Sequence, residues 1–262
     1  MEARSRFGKD AMTSAQTMLA VLLSCILLGT PGCNTTDKRD RLDIPGVIVA
    51  PYDTSRGEVL WAVIPPRNES GVSSVREDVI GDTIVAAVQG IRGVRCLPIN
   101  RTLEVMRATG ITQITSSTEA IALANALGVD GIIAGSITAY DPYDPPVLGL
   151  ALALYSKPGS MERAPHTNLD PRALTMAYTD FGDSSTSRFS GDPVNTVSQH
   201  LDARDHAVLM DLKRYASGRS DSNSALRWRV YTASMDLYTQ FVAHHTVGRL
   251  IDEEWLRYAR TR

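Results

Sequence analysis

The sequence predicts an α/β fold, a small mixed-sheet sandwich with helices and with further helices appended at the C-terminal end. Three observations predict it. Short apolar runs bounded by Pro and Gly read as strands, stretches with apolar residues at helical spacing lie between them, and the pattern after about residue 195 is helical.

Ahead of this domain stands a separate kind of sequence. Arg4, Arg6 and Lys9 precede an 11-residue run from Met18 to Leu28 in which only Ser24 is polar, and Gly29, Thr30, Pro31 and Gly32 then lead into Cys33. A bilayer core needs roughly 20 apolar residues to span, so a run this short fits the apolar region of an export signal. The residues around Cys33 resemble the lipobox of bacterial lipoproteins, with Gly32 as the small residue before the cysteine and Thr30 where Leu is usual. The resemblance implies a signal over residues 1–32, diacylglycerol on the Cys33 sulfur, and a lipidated linker over 33–44. An ordinary cleaved signal leaving Cys33 as a free thiol, or an uncleaved anchor, are the other readings. Asn34 in place of Asp implies the outer membrane, with the protein facing the periplasm.

From residue 45 each element has its own signal. Residues 46–50 and 59–64 read as strands, the second buried on both faces. Ser74 and Glu77 form a capping box for a helix carrying Ile80, Ile84, Val88 and Ile91 that Gly93 stops. A strand over 94–99 ends at Pro98, Asn100 caps a short helix, and Gly110 terminates it. Ser116 and Glu119 make a second capping box, opening a helix with Ile121, Leu123 and Leu127 that Gly128 closes.

A strand over 129–140, a turn of Asp and Pro over 141–146, and a strand in which Leu148, Leu150, Leu152 and Leu154 alternate with Gly149, Ala151 and Ala153 come next. The alternation predicts one deeply packed face and one that meets a close partner, a helix or another subunit. Residues 157–194 are rich in Ser, Thr, Asp, Pro and Gly without a period, and read as a flexible loop. Helices at about 195–216 and 225–258 follow, the last kinked near Gly248. The domains expected are therefore 45–156, the loop 157–194, and C-terminal helices over 195–262.

Two segments resemble a known family. Trp61-Ala-Val-Ile-Pro-Pro-Arg-Asn-Glu-Ser-Gly71 looks like its first strand and loop, and Glu119-Ala-Ile-Ala-Leu-Ala-Asn-Ala-Leu-Gly-Val-Asp-Gly-Ile-Ile-Ala-Gly-Ser-Ile137 like its helix and central strand. The family is the periplasmic lipoprotein domain shared by the curli secretion lipoprotein CsgG, LpoB and TolB N-terminal-like modules. The resemblance covers about 100 of the 230 residues after the signal. It implies a small α/β sandwich that binds envelope proteins or copies of itself, with no catalytic residue to carry over. Residues 157–194 lack the sustained alternation a transmembrane strand needs, which argues against a pore.

Composition sets further bounds. After residue 32 the chain has 24 basic and 27 acidic residues, a balance that argues against nucleic acid as a partner and against a polybasic membrane patch. Cys96 is the one cysteine beyond Cys33, so no internal disulfide is expected, and no Cys/His cluster has zinc-ligand spacing. His200 and His206, and His244 with His245, are spaced six and one apart, not the three or four that would share a helix face. No G-x-S-x-G, G-x-G-x-x-G or G-x-x-x-x-G-K-[ST] occurs. Asp141 and Asp144 read as turn chemistry, Asp252, Glu253 and Glu254 as a solvated helix face, and Cys96 as a small core residue.

One cluster stands out as a candidate site. Arg227, Trp228, Arg229 and Tyr231 combine the residue types that dominate interface hot spots, and form the candidate partner-binding face. The alternative is that Trp228 and Tyr231 pack the last helix onto the sheet. No metal or cofactor is expected. The reading is a non-enzymatic, lipid-anchored assembly or partner-binding module of the cell envelope, with envelope proteins or further copies of the chain as partners. An auxiliary lipoprotein subunit of an envelope export or transport complex is the alternative.

Overall fold

A computed structural model of the chain describes residues 46–55, 57–157, 159–161, 193–221 and 224–260. The export signal, Cys33, the linker and most of the expected loop lie outside the described residues. Six strands form one mixed sheet: β1 (Val59–Val63), β2 (Arg67–Asn68), β3 (Val94–Cys96), β4 (Gly131–Asp141), β5 (Val147–Ser156) and β6 (Asn195–Asp202). Among the described residues six α-helices accompany it: α1 (Glu77–Gln89), α2 (Ile99–Thr109), α3 (Ser117–Leu127), α4 (His206–Ala216), α5 (Val230–Ala233) and α6 (Met235–Arg260).

The sheet order is β3-β1-β4-β5-β6, with β2 beside β4. Strands β1, β2, β3 and β4 run parallel, and β4, β5 and β6 are successively antiparallel. Parallel neighbours need crossovers: α1 lies on the one from β1 to β3, and α2 and α3 lie on the connection that carries the chain from β3 across to β4, on the other side of β1. Side chains of β1 divide between the two faces. Trp61 and Val63 join a core with Ile84 and Val88 of α1 and Phe241 and Val247 of α6. Ala62 and Ile64 join a second core with Met106 of α2 and Leu123 of α3. The α/β class and the two-sided burial of this strand therefore agree with the sequence reading.

Several local expectations change. Residues 46–50 make only a single bridge, Val49 to Arg92, and no strand. Ser74 caps nothing, because the helix begins at Glu77 and that carboxylate accepts from the Asn68 amide at 3.2 Å instead. Gly90 ends α1, and Gly93, at φ +93°, serves the turn into β3. Helix α2 starts directly after Pro98, so Asn100 lies within its first turn. The second capping box forms, with the Glu119 amide donating to Ser116 Oγ at 3.3 Å, although the Glu119 carboxylate takes the Thr115 amide and hydroxyl. Gly110 and Gly128 both close their helices in the left-handed conformation, as their positions predicted.

The larger correction concerns residues 195–202, which form β6 and not the start of a helix. Val197 and Leu201 are its buried apolar residues, and a spacing of four satisfies a helix turn and a strand face equally. Pairing with β5 along its whole length decides the matter. The helix begins later, where Asp205 Oδ1 accepts from the Ala207 amide at 2.8 Å. The last helical region is likewise divided, into a 3-10 turn over Arg227–Arg229, α5, and α6 after an extended Ser234. Helix α6 runs unbroken through Gly248, where a Cβ would stand 3.3 Å from Ile48.

Helix α6 shares its core with the sheet. Phe241, Val242, Val247, Leu250 and Ile251 are almost wholly buried in the same cluster as Leu148, Leu150 and Leu154. Each such side chain contributes about 1.5–3 kcal/mol of burial. Near its C-terminal end this helix also buries Glu254 completely. Tyr52 Oη donates to Glu254 Oε2 at 2.9 Å, Arg257 donates through Nε at 3.0 Å and Nη2 at 2.8 Å, and Asn195 Nδ2 donates to Oε1. The Glu254 expected on a solvated helix face is therefore the centre of a buried network. Burial and the adjacent carboxylate push the Tyr52 hydroxyl well above its ordinary pKa, keeping it a donor. Tyr258 donates to the Met161 carbonyl, and Trp61 Nε1 meets Met161 Sδ at 3.2 Å.

Two outcomes follow from these buried groups. Glu254→Ala leaves Arg257, Tyr52 and Asn195 without their acceptor, so urea unfolding should show a loss of about 3–5 kcal/mol, and Glu254→Gln a smaller one. The second concerns His244, whose ring packs against Tyr215 at 4.9 Å and whose pKa falls to about 4, chiefly through burial and secondarily through Arg219 and His245. A base with a lowered folded pKa is protonated first in the unfolded chain, so its contribution is whole above pH 6.5 and is lost as pH falls toward 4. Melting temperatures at pH 7 and 4.5 should therefore fall less in His244→Phe than in the wild type.

Candidate functional site

The two faces of β5 meet different surroundings. Leu148, Leu150, Leu152 and Leu154 enter the core beneath α6, while Ala151 and Ala153 lie on the opposite face. The register sets Ala151 between Ser136 and Ser198, and Ala153 between Ala134 and Thr196. That face was expected to meet a close partner. Among the described residues α3 reaches only part of β5 on this side, and α2 and α3 otherwise lie against β1 and the start of β4. These small residues instead line a hollow of about 710 Å³, walled by Ile64, Pro65 and Arg67 on one side and Met106 and residues 112–115 on the other.

Methyl groups and hydroxyls make the floor of this hollow, and the charges are at the wall, where Arg67 pairs with Glu69 and the Glu77 carboxylate accepts the Asn68 amide. The small side chains of this floor, which ends at Tyr155, let an incoming backbone or helix approach closely. Strand β6 supplies one side of this floor and, among the described residues, is paired only with β5. The alternation in β5 pointed to the floor, whereas the share from β6 was hidden by its helical reading.

The predicted cluster is divided by the fold. Tyr231 is buried, its ring edge-on to Tyr215 at 5.5 Å. Trp228 is half-buried against the core, and Arg227 and Arg229 are exposed. Trp228 therefore packs while presenting one side to the surface, with Lys213 Nζ 4.8 Å and Arg229 Cζ 5.5 Å from its ring centre. Arg219 lies over Tyr215 at 4.4 Å and donates to that residue's carbonyl. Lys213 and Arg219 are thus functional candidates that the sequence reading missed. Whole-chain charge balance argued against a basic patch, but an average does not register cations that folding gathers.

The remaining candidates resolve into structural roles. His200 and His206 are exposed on different elements, and His244 and His245 pack against Tyr215 and Phe241. Among the described residues no three His, Cys, Asp or Glu side chains group as metal ligands. Asp141 Oδ1 accepts the Tyr143 amide at 3.2 Å, the turn chemistry expected of it, and Asp252 lies 3.6 Å from Arg249. Cys96 is buried, and burial pushes its thiol up to about 12, which keeps it protonated at neutral pH. No described helix is long and apolar enough to cross a membrane.

No family model matches the chain, and no curated protein does. Solved structures give weaker likenesses. The LpoB C-terminal domain from Salmonella enterica aligns at 9% identity over 60% of this chain and 87% of that one, with a TM-score of 0.36. Lipoprotein GNA1162 from Neisseria meningitidis aligns at 13% identity over 58% and 91%, with a TM-score of 0.34. The hypothetical protein CT253 from Chlamydia trachomatis aligns at 10% identity over 74% and 96%, with a TM-score of 0.38. None of the three lends this chain a role.

Proposed function

We propose that this protein is a lipid-anchored, non-enzymatic assembly or partner-binding module of the cell envelope, acylated at Cys33 and held at the outer membrane facing the periplasm. The observation that carries the reading is the basic stretch and apolar run that end, through small residues, on Cys33. Acyl chains hold a protein at a bilayer through about 0.8 kcal/mol per buried CH₂, so two or three chains suffice without a spanning helix. The rest of the chain is then free to act as a binding domain.

The floor of β4, β5 and β6 supports the binding half of the proposal. Ala134, Ser136, Ala151, Ala153, Thr196 and Ser198 form a contiguous surface of small side chains beside a hollow. An envelope protein or a second copy of the chain is the partner this reading assigns to it.

Radiolabelled palmitate tests the anchor: the wild type should carry label in the outer-membrane fraction and Cys33→Ala none. Label-free, processed protein in the periplasm from the wild-type chain would refute acylation. The binding face is read by cross-linking in intact cells. Ala151→Arg, at a half-buried position from which a long side chain can reach solvent, should lower the yield of the cross-linked species by at least about tenfold. Its urea midpoint should stay close to that of the wild type. Light scattering of the wild type then distinguishes self-association from capture of another protein.

A further inference from the structure

We propose that the surface around Trp228 is a contact site for an anionic lipid bilayer. Five cations, Lys213, Arg214, Arg219, Arg227 and Arg229, fall within residues 210–231 against two carboxylates, Asp211 and Asp221, a local net of +3 in a chain whose total is -2. Folding concentrates them further. The end of α4 lies against the 3-10 turn, which brings Lys213 and Arg229 to the same indole ring. Arg214 is paired with Asp211 at 3.0 Å, but no carboxylate pairs with Lys213, Arg227 or Arg229 among the described residues.

Apolar groups share this surface. Met210 is 46% exposed one helical turn before Lys213 and Arg214, and Leu226 is 49% exposed next to Arg227. Trp228, half-buried, carries two of the cations on its ring, and these exposed apolar side chains stand beside the others along the chain. That combination matches a bilayer interface, where headgroup phosphates attract the cations, aromatic rings sit at headgroup depth, and short apolar side chains reach the acyl boundary. An acidic protein surface would match the charge as well, and the test below separates the two. The backbone adds a further observation. Arg227 holds φ +49°, in the left-handed region that non-glycine residues seldom adopt.

The proposal deepens the anchored reading. A spacer of 12 residues extends roughly 40 Å at most, which would keep the domain within reach of the same bilayer. The patch itself does not depend on acylation, so the experiment removes the acyl chains. The full chain carrying Cys33→Ala is sedimented with vesicles of phosphatidylcholine alone or with 30% phosphatidylglycerol. It is compared with the same chain bearing Lys213→Glu, Arg227→Glu and Arg229→Glu. Any binding by the leader is common to both, and the difference belongs to the patch.

The expected result is a preference for the phosphatidylglycerol vesicles that falls by at least about tenfold in the reversed chain and in 0.5 M NaCl. Arg227→Lys with Arg229→Lys should retain the preference, since lipid headgroups read charge and not fork geometry. Equal binding by wild-type and reversed chains overturns the proposal, and so does a preference that persists in high salt. Loss of binding in the lysine variant overturns it as well. Indifference to lipid, with retention on a polyglutamate column instead, overturns it in favour of an acidic protein partner.

Discussion

The architecture depends on one strand whose two faces carry side chains of opposite size. Along β5 four leucines face one way and Gly149, Ala151 and Ala153 the other. The leucine face must be covered, because leaving it in water forfeits about 1.5–3 kcal/mol for each side chain. Helix α6 covers it, and with α1 makes the larger of the two cores. The alanine face carries no comparable demand. It is covered only in part among the described elements, and the hollow beside it follows from the sequence of β5 itself.

Covering the leucine face required a long helix arriving from the far end of the chain, and a buried carboxylate fixes where that helix ends. Glu254 takes donors from Tyr52 near the start of the described chain, from Asn195 at the head of β6, and from Arg257 on its own helix. A buried charge is tolerable only when its acceptors are saturated, so the network specifies one docking position for α6. Met161, contacted by Trp61 and Tyr258, adds a neighbouring anchor.

The parts of this fold that were legible in the sequence are those where a local signal has one meaning. Gly110 and Gly128 closed their helices because few other residues adopt a positive φ, and Ser116 with Glu119 opened one because both groups satisfy amides there. Signals with two meanings failed. Val197 and Leu201 fit a helix or a strand, and only β5 decides between them. Glu254 has the composition of a solvated face, and its burial depends on Tyr52 and Asn195, 202 and 59 residues away. The floor of the hollow was half legible for the same reason, since its β5 residues alternate visibly and its β6 residues do not.

Charge gives the sharpest case of the same limit. A net of -2 over the whole chain describes its long-range field and says nothing of where the cations stand. In the sequence Lys213 and Arg229 are separated by 15 residues, but in the fold they share one tryptophan. Tyr231 belongs to the same sequence cluster but turns inward to Tyr215, so the aromatic that anchors the turn and the cations that surround it are divided between core and surface. A short 3-10 turn, with Arg227 in the left-handed region, achieves that division within five residues. The surface face of that turn then lies on a different part of the domain from the hollow over β5, whose lining shares none of these residues. On the proposed reading, two separate surfaces would let a tethered chain hold a bilayer with one and a partner with the other.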